Sequence, residues 1–134
     1  MVALVDTSAL LALSRTKDQY HERAVALADR HLTGGGRFVG TTLVLGELHA
    51  HLLHLRGPRE ARLALHALLE DPIHEWVEVS AELVRDATEW LSRFSDQAFT
   101  LVDAVSFQLM KARRVHHAFA FDAHFRVAGY ELLD

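Results

Sequence analysis

Residues 2–10 read VALVDTSAL, and this stretch decides the fold. Val2, Ala3, Leu4 and Val5 form a short, unbroken apolar run, the pattern of a strand buried on both faces. The run stops at a carboxylate, Asp6. Two hydroxyl residues follow, Thr7 and Ser8, either of which can cap the next helix, ALLALS. A second run near the far end, HHAFAFDAHF at 116–125, stops in the same way at Asp122. Two strands that each end on an aspartate raise the question of whether the two acids meet.

The segments between them supply the topology. DQYHERAVALADRHL (18–32) has helical spacing through Ala24, Leu27 and Ala28, and three glycines at 34–36 break it. RFVGTT (37–42) reads as a second strand with Thr41 or Thr42 as the following cap. LVLGELHAHLLHLR (43–56) is a helix with an apolar face of Val44, Leu45, Leu48, Leu52 and Leu55. Gly57-Pro58 ends it and opens another helix, PREARLALHALLED. IHEWVEV (73–79) alternates like a strand, and Ser80 caps the helix after it. A loop, SDQAFT, leads into the helix LVDAVSFQLMKARR (101–114). HHAFAF and a short YELL complete the strands. Strands alternating with helices predict an α/β fold with a mostly parallel central sheet covered on both faces. In such sheets ligands sit beyond the carboxyl ends of the strands, so Asp6 and Asp122 are expected at one edge.

The 134 residues suit a single domain, 1–134. Half are hydrophobic and 24% are charged, as in a globular protein. With no cysteine, disulfides, thiolate metal sites and thiol nucleophiles are excluded, which fits a cytoplasmic setting. No leader pattern opens the chain, and no apolar run approaches the ~20 residues of a membrane helix. The net charge of −4 gives no general attraction to nucleic acid, so any such binding needs a local basic patch. Arg56, Arg59 and Arg62 form one candidate patch, and Lys111, Arg113 and Arg114 another. A solvated charged face is the plainer reading of both.

Two further acids point toward the same edge. Glu47 lies on the flank of its helix, about 100° from the centre of the apolar face. Asp103 lies in the first turn of its helix, three residues after Thr100. Converging carboxylates repel one another unless a cation neutralises them, and hard oxygen donors suit Mg²⁺ or Mn²⁺. Such ions bind phosphodiesters and activate water, so the chemistry suggested is metal-assisted phosphodiester hydrolysis. Each acid also has a local role open to it. Thr100 and Asp103 form a capping-box pattern, Asp122 can cap the short turn after it, Asp6 can be a turn residue, and Glu47 can be a solvated helix residue.

VALVDTSAL, the GE pair inside a helix, FTLVDAVSF and AFAFDAHFRVAGY together resemble the PIN domain family, most of all its small VapC-like toxin ribonucleases. The resemblance covers nearly the whole chain. It implies a parallel sheet between helix layers and an acidic Mg²⁺ or Mn²⁺ site. It assigns metal-binding and catalytic roles to Asp6, Glu47, Asp103 and Asp122, and places Ser8 and Thr7 beside the metal or the scissile phosphate. Asp96 falls in the loop where many relatives carry an extra acid, although a solvated loop residue is an equal reading. The resemblance also implies an RNA substrate, a homodimer and a small antitoxin partner whose C-terminal segment enters the active-site groove.

Three rival functions are open to the same residues. Glu47, His51 and His54 share one helix face, and with ten histidines in the chain a zinc hydrolase is conceivable. The order is not HExxH, and no distant ligand is marked. A haloacid-dehalogenase-like phosphatase needs a second aspartate where this chain has Ser8. A non-catalytic RNA- or protein-binding module usually lacks one or more acids, and all four are present. His21 and His124 are expected to serve packing and hydrogen bonding.

Overall fold

The computed structural model describes residues 1–134. In chain order the elements are β1 (Val2–Val5), α1 (Thr7–Ser14), α2 (His21–Thr33), β2 (Arg37–Thr41), α3 (Thr42–Arg56) and α4 (Pro58–Glu70). Then come β3 (His74–Val77), α5 (Ala81–Arg93), α6 (Leu101–Arg113), β4 (His117–Phe119), α7 (His124–Val127) and β5 (Glu131–Leu132). The five strands form one sheet in the order β3-β2-β1-β4-β5, and every pairing is parallel.

Side chains of a strand alternate between faces, and here they feed two separate cores. Ala3 and Val5 of β1, Phe38 of β2 and Phe119 of β4 pack under α1 to α4, against Leu10, Leu27, Val44, Leu48 and Leu52. Leu4, Val39 and Ala118 point the other way, into a cluster with Trp90, Phe107, Met110 and Phe125 from α5, α6 and α7. The arrangement is three layers, helices on both faces of the sheet. It explains why β1 is apolar at Ala3, Leu4 and Val5 alike: all three are fully buried.

The strand order reverses between β1 and β4. Chain growth runs outward from β1 through β2 and β3 on one side and through β4 and β5 on the other. At such a switch point the loops leaving adjacent strands part in opposite directions and open a crevice. Asp6 follows β1 directly, and Asp122 lies in the loop after β4.

Several local expectations are adjusted. The N-cap of α1 is Asp6 itself, whose carboxylate accepts the Ser8 N–H, and not Thr7 or Ser8. Asp122 is not the last residue of its strand: β4 ends at Phe119, because the N–H of Phe121 turns out of the ladder to donate to Ser8 Oγ at 2.9 Å. Asp6 is still held in the ladder through its own N–H, which donates to the Phe119 carbonyl. The stretch from Asp18 to Tyr20 is a turn before α2, closed by Asp18 Oδ1 accepting the Tyr20 N–H.

Candidate active site

Hydrogen-bonded tethers hold the loops of the site together. Ser8 donates through both N–H and Oγ–H to Asp6 Oδ2, at 3.2 and 2.6 Å, while its Oγ accepts the Phe121 N–H. One hydroxyl thus ties the β1–α1 turn to the loop that carries Asp122. Thr100 caps α6: its Oγ1 accepts the Asp103 N–H, and Asp103 Oδ2 accepts the Thr100 N–H at 3.0 Å. The capping box read in the sequence is present, and the same carboxylate also faces the site. Capping and site placement are compatible because only one oxygen of Asp103 is engaged.

His124 joins the remaining acids. Its Nδ1 lies 3.0 Å from Asp103 Oδ2 and 3.4 Å from Asp122 Oδ1, and its backbone N–H donates to Asp122 Oδ1 at 2.9 Å. An ionised carboxylate can only accept, so Nδ1 carries the hydrogen. The ring is also set edge-on against Phe99. His124 therefore touches two of the candidate acids, a more specific role than the packing and hydrogen bonding expected from sequence. The signal is the Asp-x-His spacing at 122–124, which lets His124 donate its backbone N–H to Asp122 while its ring reaches Asp103.

Asp6 and Asp103 are buried, and Asp122 is half-buried. Burial, and after it the charges of Asp103 and Asp122, push the Asp6 carboxyl up to about 6, against the lowering effect of the two Ser8 hydrogen bonds. The three aspartates thus share one electrostatic neighbourhood. Each has one oxygen committed to the protein. Asp6 Oδ1, Asp103 Oδ1 and Asp122 Oδ2 accept no hydrogen bond from any protein group. The hydroxyls of Thr7, the first residue of α1, and of Thr41, the last residue of β2, are buried without a partner. Asp103 and Asp122 offer ligand atoms within 4.8 Å of one another, and the His124 Nδ1–H is directed at the pair rather than free to ligate. Crowded carboxylates with free oxygens and no thiolate fit a hard divalent cation.

The other predicted residues are placed differently. Glu47 is half-buried on α3 and makes no hydrogen bond or ion pair; the carboxylates that act on Asp6 are Asp103 and Asp122. Asp96 lies on an exposed turn without a side-chain partner. His51 and His54 are exposed, and with Glu47 they form no cluster of metal-ligand atoms, so the zinc alternative finds no site. In the two basic patches Arg113 is engaged in an ion pair with Glu75 at 2.8 Å, and Arg59 lies 3.9 Å from Glu60.

Known proteins share this fold. Residues 3–129 match the PIN domain. The chain belongs to the PIN domain family. It is 32% identical over 126 residues to the 23S rRNA-specific endonuclease VapC20 of Mycobacterium tuberculosis, covering 94% of this chain and 93% of that protein. The crystal structure of M. tuberculosis VapC20, described as a sarcin–ricin-loop cleaving toxin, superposes with a TM-score of 0.85 at 30% identity, covering 97% of this chain and 96% of that one. FitAcB from Neisseria gonorrhoeae has the same fold, with a TM-score of 0.69 at 15% identity over 100% of this chain and 97% of that one. No helix of this PIN domain is long and apolar enough to cross a membrane.

Proposed function

We propose that this chain is a metal-dependent endoribonuclease, the toxin of a toxin–antitoxin pair, and that it cuts the sarcin–ricin loop of 23S ribosomal RNA. The observation that carries the reading is the meeting of Asp6, Asp103 and Asp122 at the switch point, each with one oxygen anchored and one free. The choice of substrate is supported by the similarity to VapC20, a 23S rRNA-specific endonuclease described as a sarcin–ricin-loop cleaving toxin, over nearly the full length of both chains. The description of VapC20 as a toxin supports an antitoxin partner.

Asp6, Asp103 and Asp122 are the residues that would hold Mg²⁺ or Mn²⁺. Such an ion supplies positive charge to the scissile phosphate and makes water more acidic. The rest is work done by the chain. Ser8 fixes the rotamer of Asp6, the Thr100 N–H and His124 fix Asp103, and the His124 N–H fixes Asp122. The acids are therefore oriented before substrate arrives, which removes ordering cost from the reaction itself. Glu47 makes no hydrogen bond or ion pair within the chain, and on the family resemblance alone we assign it to help hold the ion and orient the attacking water. In-line attack on phosphorus with departure of the 3′ oxygen leaves 5′-phosphate and 3′-hydroxyl ends.

The test is cleavage of a sarcin–ricin-loop RNA hairpin with Mn²⁺ present. Asp6→Asn and Asp103→Asn should each lower the rate by orders of magnitude while circular dichroism shows the fold intact. Equal cleavage by wild type and both variants would remove these acids from the site.

A further inference from the structure

Beside Asp122 lies a cavity of about 360 Å³, bordered also by Tyr20, Arg23, Phe121 and Arg126. The size falls in the range of small-ligand clefts, roughly 300–1,000 Å³. Its most ordered feature is a ring pair. Tyr20, at the N-terminus of α2, stacks on Phe121 with centroids 4.7 Å apart and planes only 5° from parallel. Tyr20 is 41% exposed, so the stack is reached from solvent. Phe121 is the residue before Asp122, and its N–H is held by Ser8 Oγ. The stack is thus fixed to the same hydroxyl that orients Asp6.

Two guanidiniums border the same space. Arg126 is exposed and makes no ion pair. Arg23 contacts Asp134 at 3.3 Å, with side chains 59% and 92% exposed. A pair this exposed to solvent is weak and exchanges readily for another anion. An accessible aromatic stack with cations alongside is the combination that receives an unpaired nucleotide: the base stacks and the phosphate meets arginine.

We propose that Tyr20, Arg23, Phe121 and Arg126 form a nucleotide subsite that holds an unstacked base and phosphate of the RNA next to the scissile bond. The proposal rests on the ribonuclease reading for the identity of the ligand. It adds a specificity element outside the acidic cluster, at the N-terminal end of α2, on the loop after β4 and on α7. A protein segment is the competing occupant of such a groove. The paired cations in a chain of net charge −4 favour the polyanion.

The experiment measures binding of a fluorescein-labelled sarcin–ricin-loop hairpin by anisotropy, in an Asp6→Asn background that prevents cleavage. Tyr20→Ala should weaken binding about 5- to 150-fold, the equivalent of the ~1–3 kcal/mol contributed by one stacked base. Tyr20→Phe should bind like its parent. Arg23→Ala with Arg126→Ala should reduce the salt slope by about 1.4, or ~0.7 for each single-strand phosphate that is no longer neutralised. In the cleaving enzyme, Tyr20→Ala should raise KM more than it lowers kcat. Unchanged affinity and salt slope in well-folded variants would overturn the subsite and leave the ribonuclease reading intact, and so would equal losses in Tyr20→Ala and Tyr20→Phe. If wild type cleaves nothing but Tyr20-dependent RNA binding persists, the subsite stands and the ribonuclease reading fails. If neither cleavage nor binding occurs, both fall.

Discussion

A carboxyl group in water titrates near pH 4, and Asp6 is held at about 6 by burial and by two neighbouring acids. The sign of the consequence is fixed. Between the ordinary value of 3.8 and about 6, the folded protein binds more protons at Asp6 than the unfolded chain does. Stability must therefore fall as pH rises through that window. At neutral pH without metal, the ionised side chain costs on the order of 2–3 kcal/mol. Asp6→Asn removes the charge and keeps an acceptor for Ser8. In EDTA at pH 7.5 its melting temperature should exceed that of wild type, and the gap should close as pH falls below about 4. Parallel pH profiles would show that Asp6 carries no such strain. Asp6 is a better probe than Asp103, whose carboxylate is bonded to the Thr100 N–H and to His124, so that substitution there mixes lost caps with lost repulsion. At this scale the sequence is legible where local chemistry repeats: an acid after a strand, a Thr-x-x-Asp cap. The Ser8 bridge to Phe121 is not, because it joins residues 113 positions apart and depends on how two loops meet.

Among the elements, β2 is the most constrained. Gly40 lies between its neighbours so closely that a Cβ there would sit 2.6 Å from Trp76 Cζ3 and 3.1 Å from Val5 Cγ1. Trp76 cannot simply swing aside, since its indole N–H donates to the Leu68 carbonyl at 3.0 Å and its ring stacks on His74. That stack continues through Phe38 to Phe119, an aromatic row across the sheet. Gly40→Ala should destabilise the protein by about 1–3 kcal/mol, the usual cost of overpacking. Urea denaturation checks this, and Trp76→Leu combined with Gly40→Ala should recover part of the loss; additive losses would place the strain elsewhere. Periodicity locates β2 and both of its flanking helices, because alternation and helical spacing are local signals. It offers no reason for a glycine inside a buried strand, since that reason is a tryptophan on the neighbouring strand. The short α7 reads from sequence only as a turn: four residues carry too little periodicity to mark a helix.

At the scale of the whole molecule, the alternation of strands and helices is enough to predict a parallel sheet with its acids at one edge. The order β3-β2-β1-β4-β5 lies beyond it, because which strand neighbours which is decided by packing of α1 to α4 on one face and α5 to α7 on the other. Assembly is the remaining large-scale property. The hairpin of α3 and α4 leaves Leu53, Leu55, Leu63 and Leu69 between 44% and 52% exposed. Single exposed leucines are ordinary, but there are four on this one hairpin, and the homodimer expected from the sequence would give them cover. A dimer interface of standard size buries ~800 Å² on each partner, about a tenth of the 7650 Å² surface of this chain. Sedimentation velocity at micromolar concentration should show a dimer. Leu63→Glu, which puts a charge on the exposed side of α4 without touching the core, should shift the population toward monomer and leave the melting curve of the isolated chain unchanged. A wild-type protein that stays monomeric well above micromolar concentration would overturn the dimer. A Leu63→Glu variant that remains fully dimeric would move the interface away from this hairpin.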